Sequence, residues 1–201
     1  MNTHRHARYL LLSCCLLSCC LLSFCPLVAH AGDARDFETM SRTAFVALAN
    51  GANNAYGNKN YNLAFARFQR LACAGDKPSQ AKLGTMYLSG EGIARDDLQG
   101  YLWLKVASEF EFPAYRNIVK KIESVLTPEQ LKATAAGAEA LRNRYGLRAS
   151  NISCNQSSSS SFGSNLKDAV VCSPQAEGMN FLVRRCEVDE EKLAAEPKPA
   201  K

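Results

Sequence analysis

Residues 81–107 read AKLGTMYLSGEGIARDDLQGYLWLKVA, which is two apolar helical patterns separated by a short glycine turn. In the first pattern, apolar and small residues recur every three or four positions and therefore share one helix face: Ala81, Leu83, Gly84, Tyr87 and Leu88. Because Gly84 has no side chain, a neighbouring helix can approach closely there. Gly90 and Gly92 provide the positive φ angles that end a helix and turn the chain back.

The second pattern begins at Asp96 or Asp97, either of which can cap a helix. Its expected buried stripe comprises Leu98, Tyr101, Leu104 and Ala107 or Ser108, with Trp103 beside it. The stretch therefore predicts a helical hairpin with small residues where the two backbones meet.

This hairpin resembles one unit of the Sel-one-like repeat (SLR) family, which is related to the tetratricopeptide repeats. The residues that match the family pattern are Leu83, Gly84, Tyr87, Gly90, Gly92, Asp96, Trp103 and Ala107, with Ile93 in place of a valine. Gly100 and Ser108 stand where the family has alanines. The resemblance implies that the repeat core is formed by Leu83, Gly84, Tyr87, Gly90, Gly92, Trp103 and Ala107. It also implies an all-α, short right-handed α-solenoid of helical hairpins, whose surface binds other proteins.

The chain opens with a segment that resembles a secretory signal peptide, residues 1–31. Arg5 and Arg8 precede a long apolar run, and Ala29-His30-Ala31 has the form of a signal peptidase site. We expect cleavage after Ala31, no transmembrane span in the cleaved chain, and a periplasmic or secreted protein. A retained membrane anchor and a lipoprotein with a lipid anchor at Cys19 are the alternatives.

Removing this leader changes the composition on which chemistry depends. The net charge falls from +5 to +3 when Arg5 and Arg8 are lost, which is too mild to indicate a nucleic-acid partner. All three histidines lie in the leader: His4, His6 and His30. Histidine is the commonest general base and metal ligand. We therefore expect no catalytic residues, no metal site and no cofactor.

Further helical patterns flank the central hairpin and make residues 32–147 one helical repeat domain. Residues 33–56 read as a helix. The helical pattern after it matches the second pattern of the central hairpin at an offset of 36 residues, which pairs Ala64 with Gly100, Phe68 with Leu104 and Ala72 with Ser108. A third hairpin is predicted from a helix over 113–126 and another that starts at Thr127-Pro128-Glu129-Gln130 and runs to Tyr145. Acidic residues are interpreted as helix caps and solvated helix ends: Asp96, Asp97, Glu109 and Glu111.

Beyond this domain, residues 148–192 form a serine-rich linker and a cysteine-containing tail, which is β or irregular, and 193–201 read as a disordered end. Apolar runs at 169–172 and 181–188 resemble short strands. Disorder of the whole tail is the alternative.

Four cysteines remain after the leader, and they predict two disulfides in an exported chain: Cys73, Cys154, Cys172 and Cys186. Three pairings are open. Cys154 and Cys172 lie symmetrically about Gly163, so a hairpin that turns near 162–165 would bring them together. We therefore expect Cys154–Cys172, and a Cys73–Cys186 bond that holds the last strand against the first repeat.

These features indicate an exported scaffold or adaptor that binds another protein in the periplasm or cell envelope, not an enzyme. Cysteine-rich SLR proteins associated with β-lactam binding or hydrolysis provide the alternative. In that subgroup each repeat carries its own cysteine pair, whereas the repeats here contain only Cys73. Partner contacts are expected on the face of the first central helix that its buried stripe leaves free: Lys82, Thr85, Met86 and Ser89.

The expected core position of Trp103 gives a direct test of this reading. Trp103→Ala should lower the free energy of unfolding by about 3–5 kcal/mol, as other large-to-small core substitutions do. Chemical denaturation followed by circular dichroism measures the change. A loss below about 1 kcal/mol would place the tryptophan on the surface and contradict the predicted helix face.

Overall fold

Six helices follow one another in the part of the chain that the structure, a computed structural model, describes. They are α1 (Arg42–Gly57), α2 (Tyr61–Ala74), α3 (Lys77–Ser89), α4 (Asp97–Ala107), α5 (Pro113–Glu123) and α6 (Pro128–Tyr145). Helices α1 and α2 pair as one hairpin and α3 and α4 as the next, with α2 packed on α3 between them. The two helices predicted to form a third hairpin, α5 and α6, are present, but each packs on α4 rather than closely on the other. The fold is the predicted short solenoid of helical hairpins.

The structure describes residues 36–157, 169–175 and 180–186. All of them belong to one compact unit, Ala34–Lys201. The predicted signal peptide, Cys19, the turn near 162–165 and the end segment 193–201 lie outside the described residues. Within these ranges, none of the helices has the length and hydropathy needed to span a bilayer.

The central hairpin closes at two glycines that face each other. A Cβ atom on Gly84 would lie 2.7 Å from the Leu104 side chain and 2.9 Å from the carbonyl oxygen of Gly100. A Cβ atom on Gly100 would likewise lie 2.7 Å from Leu88 and 2.9 Å from the Gly84 carbonyl oxygen. These distances are shorter than side chains tolerate, so the close approach predicted at Gly84 is confirmed.

The predicted glycine turn has the expected backbone conformation. Gly90 caps α3 with φ 73°, and Gly92 has φ 76°. A Cβ atom on Gly92 would collide with the backbone of Tyr61 at the start of α2. The turn therefore requires glycine for its conformation and packs the second hairpin against the first.

Side-chain caps fix the starts of the later helices as the sequence predicts. The Asp96 carboxylate accepts a hydrogen bond from the Gln99 N–H at 2.9 Å and begins α4. Thr127 and Gln130 form a capping box at the start of α6, with Pro128 at the first helical position. These bonds satisfy N–H groups that have no partner inside the helix.

The second helices of the hairpins supply much of the core. Ala64 and Phe68 of α2 are buried, as are Gly100 and Leu104 at the equivalent positions of α4. The Trp103 side chain is 6% exposed. Its ring stacks on that of Tyr145 at 5.4 Å between centroids, so Trp103 joins α4 to the end of α6.

One residue of the predicted α4 stripe is wrong. Leu98 is 51% exposed. It lies in the first turn of α4. The helical period of the sequence therefore includes a position whose side chain the neighbouring elements leave half-exposed.

Within the described ranges, four short strands accompany the helices: β1 (Phe37–Ser41), β2 (Ile152–Ser157), β3 (Ala169–Pro174) and β4 (Asn180–Arg184). Strand β1 pairs antiparallel with β4, and β2 pairs antiparallel with β3. The helix predicted over 33–56 is therefore wrong for residues 37–41. A helix begins only at Arg42, after the Ser41 side chain accepts a hydrogen bond from the Ala44 N–H.

The two predicted disulfides are confirmed, Cys73–Cys186 and Cys154–Cys172. Cys154 and Cys172 are opposite each other in the β2–β3 register. Cys186 follows β4 and bonds to Cys73, which is buried near the end of α2. The tail is thereby joined to the first hairpin. In β4, Phe181 and Val183 point into the core, and the Phe181 ring contacts Phe45 of α1.

The two disulfides should differ in what they contribute to stability. Cys73–Cys186 closes a loop of 113 residues and Cys154–Cys172 a loop of 18 residues. In the chain-entropy model, loops of these sizes correspond to about 5 and about 3 kcal/mol. Replacing both cysteines of the long-range pair by alanine should therefore lower the melting temperature more than the same change in the hairpin pair.

Thermal unfolding of the two double variants measures this difference, and peptide mapping without reduction checks the pairing. An equal fall in melting temperature, or a Cys172–Cys186 bond, would contradict the assignment of the long-range clamp.

Candidate functional site

An open groove lies where the end of α4 meets the end of α6, and we call it the α4–α6 groove. It has a volume of about 520 Å³. Its walls are formed by Lys105, Ser108, Glu109, Glu139, Arg142, Asn143, Arg148 and Ala149. Polar and charged side chains predominate in this set, and they come from two helices and from the segment that follows α6.

The backbone around the groove leaves no room for an added side chain at Gly146. Helix α4 passes into a 3₁₀ turn, Ser108–Phe110, which carries Glu109. Helix α6 ends at Tyr145, and Gly146 follows it. A Cβ atom on Gly146 would lie 2.9 Å from a Glu109 carboxylate oxygen and would collide with the Arg142 carbonyl oxygen. This close fit sets the position of Glu109 against the end of α6.

A fully buried lysine supports the groove from behind. The Lys77 side chain is 0% exposed and lies at the start of α3. Its ammonium group donates to the Glu109 carboxylate at 3.1 Å, to the Gln80 side-chain oxygen at 3.0 Å and to the Val106 carbonyl oxygen at 3.3 Å. The charge is therefore paired and its three protons have acceptors, which a buried ammonium group requires.

Gln80 extends this network to two further elements. Its amide nitrogen donates to the Ala72 carbonyl oxygen of α2 at 2.9 Å and to the Tyr145 carbonyl oxygen of α6 at 2.8 Å. Glu109 also accepts a hydrogen bond from the Leu147 N–H at 2.9 Å. Four helices are thus held together by one buried polar cluster, which fixes the groove walls.

Burial governs the electrostatics of this cluster. Desolvation lowers the pKa of Lys77, and the charge of Glu109 opposes that shift. Desolvation also raises the pKa of Asp76 to about 6, although hydrogen bonds from Ser79 act in the opposite direction. Asp76 caps α3, because its carboxylate accepts from the Ser79 N–H at 2.9 Å.

Most charges in the groove walls have partners. The Arg142 guanidinium lies 3.3 Å from the Glu139 carboxylate, and Lys105 pairs with Glu123 on α5. Arg148 is exposed and makes no ion pair with any residue that the structure describes. The arrangement offers one uncompensated guanidinium at the rim of a polar recess.

The predicted partner-binding face on α3 is only partly available. Met86 is 0% exposed, so its place in that set is wrong: it packs in the core and cannot contact a partner. Lys82 lies over the Tyr56 ring at 4.2 Å, and the Thr85 hydroxyl donates to the Lys82 carbonyl oxygen. Ser89 is exposed. A partner role for Lys82, Thr85 and Ser89 stays a prediction.

The positions expected in the repeat core divide into two groups. Buried residues are Leu83, Gly84, Tyr87, Trp103 and Ala107. Gly90 and Gly92 are partly exposed in the turn.

In the part of the chain that the structure describes, no group of three or more His, Cys, Asp or Glu residues could hold a metal ion.

Lys77 and Gln80 are not among the residues that the sequence predicts to be functional. Glu109, predicted to be a solvated helix end, instead forms an ion pair with buried Lys77. A weak signal was present, because a lysine directly after a capping aspartate lies at the end of a helix where the dipole disfavours a cation. A cation at this position is stabilised when an anion lies nearby.

Comparisons with known proteins extend this description only in part. No protein-family model matches the chain. No curated protein matches it either. Among solved structures, it is similar to a protective antigen of uropathogenic Escherichia coli strains that displays an SLR fold. The similarity has a TM-score of 0.46 and 24% sequence identity, and it covers 52% of this chain and 24% of that one. The matched part of this chain thus spans about a quarter of the length of that antigen. The assignment to helical hairpins here rests on the helices themselves.

The raised pKa of Asp76 predicts how stability changes with pH. The pKa of Asp76 is about 6 in the folded protein, whereas an aspartate without these interactions has a pKa of 3.8. The folded state therefore binds more protons than the unfolded state between pH 4 and 6, and the free energy of unfolding should fall as pH rises through that window, by about 3 kcal/mol. Asp76→Asn keeps a capping oxygen but does not titrate, so it should remove this contribution.

Denaturation at several pH values measures the difference between variant and parent. Asp97→Asn is the matched control, because Asp97 is exposed and pairs with Arg95 at the surface. If Asp76→Asn and the parent lose stability equally between pH 4 and 6, the inferred shift at Asp76 is wrong.

Proposed function

We propose that this chain is an exported repeat protein of the SLR type, which acts as a protein-interaction scaffold or adaptor in the periplasm or cell envelope. The observation that carries the proposal is the α4–α6 groove, a recess whose walls are fixed by a buried polar cluster. A surface that is already ordered loses little conformational entropy when a partner binds. Stacked helical units offer such surfaces in other repeat proteins.

The disulfides support the proposed location. Cys73–Cys186 joins the first hairpin to the tail, and Cys154–Cys172 joins two strands. Such bonds persist in oxidising compartments, including the bacterial periplasm and the exterior of the cell. Export by a cleaved signal peptide is part of the proposal, and the lipoprotein form anchored at Cys19 is its alternative.

Site-specific photo-crosslinking in the native envelope tests this function. A photoreactive amino acid at Asn143 probes the α4–α6 groove, one at Ser89 probes the α3 face, and one at exposed Asn54 on α1 is the control. We expect a discrete protein adduct, identified by mass spectrometry, from Asn143 or Ser89 and none from Asn54. Absence of an adduct at both test positions would contradict the scaffold role.

Purified protein should also leave a chromogenic β-lactam unchanged. Turnover above that of the heat-denatured sample would replace the scaffold proposal by the enzyme alternative, the β-lactam-binding or hydrolysing type.

A further inference from the structure

We infer that the α4–α6 groove binds a carboxylate of a partner polypeptide and that Arg148 is the principal contact. This inference rests on the proposed function, since it names the chemistry of the partner that the scaffold would take. The groove has a volume of about 520 Å³ and, unlike most small-molecule sites, is open and lined mainly by polar side chains.

The first support is the distribution of charge in the groove. Both wall carboxylates are occupied: Glu109 by Lys77 and the Leu147 N–H, and Glu139 by Arg142. The Lys105 ammonium group is taken by Glu123. Only the Arg148 cation lacks an opposite charge among the described residues that line the groove. A ligand with one carboxylate would supply it.

The second support is the position of Arg148 along the chain. Basic residues in the last turn of a helix interact favourably with its dipole, and this accounts for Lys105 in α4 and Arg142 in α6. Arg148 lies beyond the end of α6 at Tyr145, so it has no such role. Its planar guanidinium group can donate two parallel hydrogen bonds to a carboxylate.

The number of unpaired charges in the lining determines which class of anion fits. Because the other charged side chains of the described lining already have partners, a nucleic acid or another polyanion would bring more negative charges than Arg148 alone can compensate. A polypeptide segment brings a single carboxylate together with N–H donors, which the half-exposed Glu139 carboxylate and the Asn143 side-chain oxygen can accept. The mixed lining of the groove therefore favours a peptide over a polyanion.

Fluorescently labelled short peptides test the inference on the full chain with both disulfides formed. One peptide alternates serine and glutamate and has an amidated end. A second replaces glutamate by glutamine and keeps a free terminal carboxylate, and a third has glutamine and an amidated end. We expect binding of the first or the second, which identifies a side-chain or a terminal carboxylate as the source, and no binding of the third.

Arg148→Glu should weaken binding at least about tenfold, because it replaces a charge-assisted pair by repulsion. Arg148→Lys should retain part of the affinity. Arg116→Glu is the matched control, because Arg116 is exposed on α5, outside the groove, and its substitution changes the net charge by the same amount. Unaltered binding by Arg148→Glu, or an equal loss in Arg116→Glu, would overturn the inference.

The acidic segment 187–191 of the chain itself is the other carboxylate source that the test must distinguish. A shortened chain that ends at Cys186 lacks this segment and serves that purpose. If only this shortened chain binds the peptides, the groove is occupied by its own chain and the inference is overturned. The scaffold role can fail separately: it fails when envelope crosslinking gives no adduct, whereas the groove assignment fails when Arg148→Glu binds the peptides unchanged.

Discussion

The structure depends first on the contact between Gly84 and Gly100. At this point the backbones of α3 and α4 are too close for any Cβ atom, and Leu88 and Leu104 fill the space on either side. Helix α4 is fixed by that contact and in turn supports α5 and α6. Since Trp103 of α4 stacks on Tyr145, the position of the last helix also follows from the glycine contact. A side chain at either glycine would displace every later element.

A buried polar cluster fixes the positions of the helices along their axes, which the apolar core alone does not determine. Apolar packing fixes distances between helices but tolerates small shifts along their axes, whereas hydrogen bonds to particular carbonyl groups do not. Lys77 and Gln80 reach the carbonyl oxygens of Ala72, Val106 and Tyr145, which lie at the ends of three other helices. Desolvating a lysine is costly, and such pairs are often no more stable than apolar substitutes. Their contribution here is the alignment of helix ends around the α4–α6 groove.

The hairpin architecture could be predicted from the sequence because its determinants are local. The Gly90–Gly92 turn, the Asp96 cap and the Thr127–Gln130 capping box each act within a few residues. The cysteine pairing was predictable because few pairings exist. Strand β1 was missed because Phe37 and Met40 continue the helical spacing, and only β4, far along the chain, selects a strand. Burial of Lys77 and Met86 and exposure of Leu98 likewise depend on which helices happen to lie nearby.

The pairing of β1 with β4 changes how the helical stack can come apart. A linear array of repeats can fray from its outermost units, because each unit contacts only its neighbours. Here the strand before the first helix is held by a strand that follows the last one, and Cys186 ties that second strand to α2. Separating the first hairpin from the array therefore also requires the β1–β4 pairing and the Cys73–Cys186 bond to break. Among the described residues, the first hairpin is thus tied to the tail at its outer side, and a protease would not find it as a frayed end.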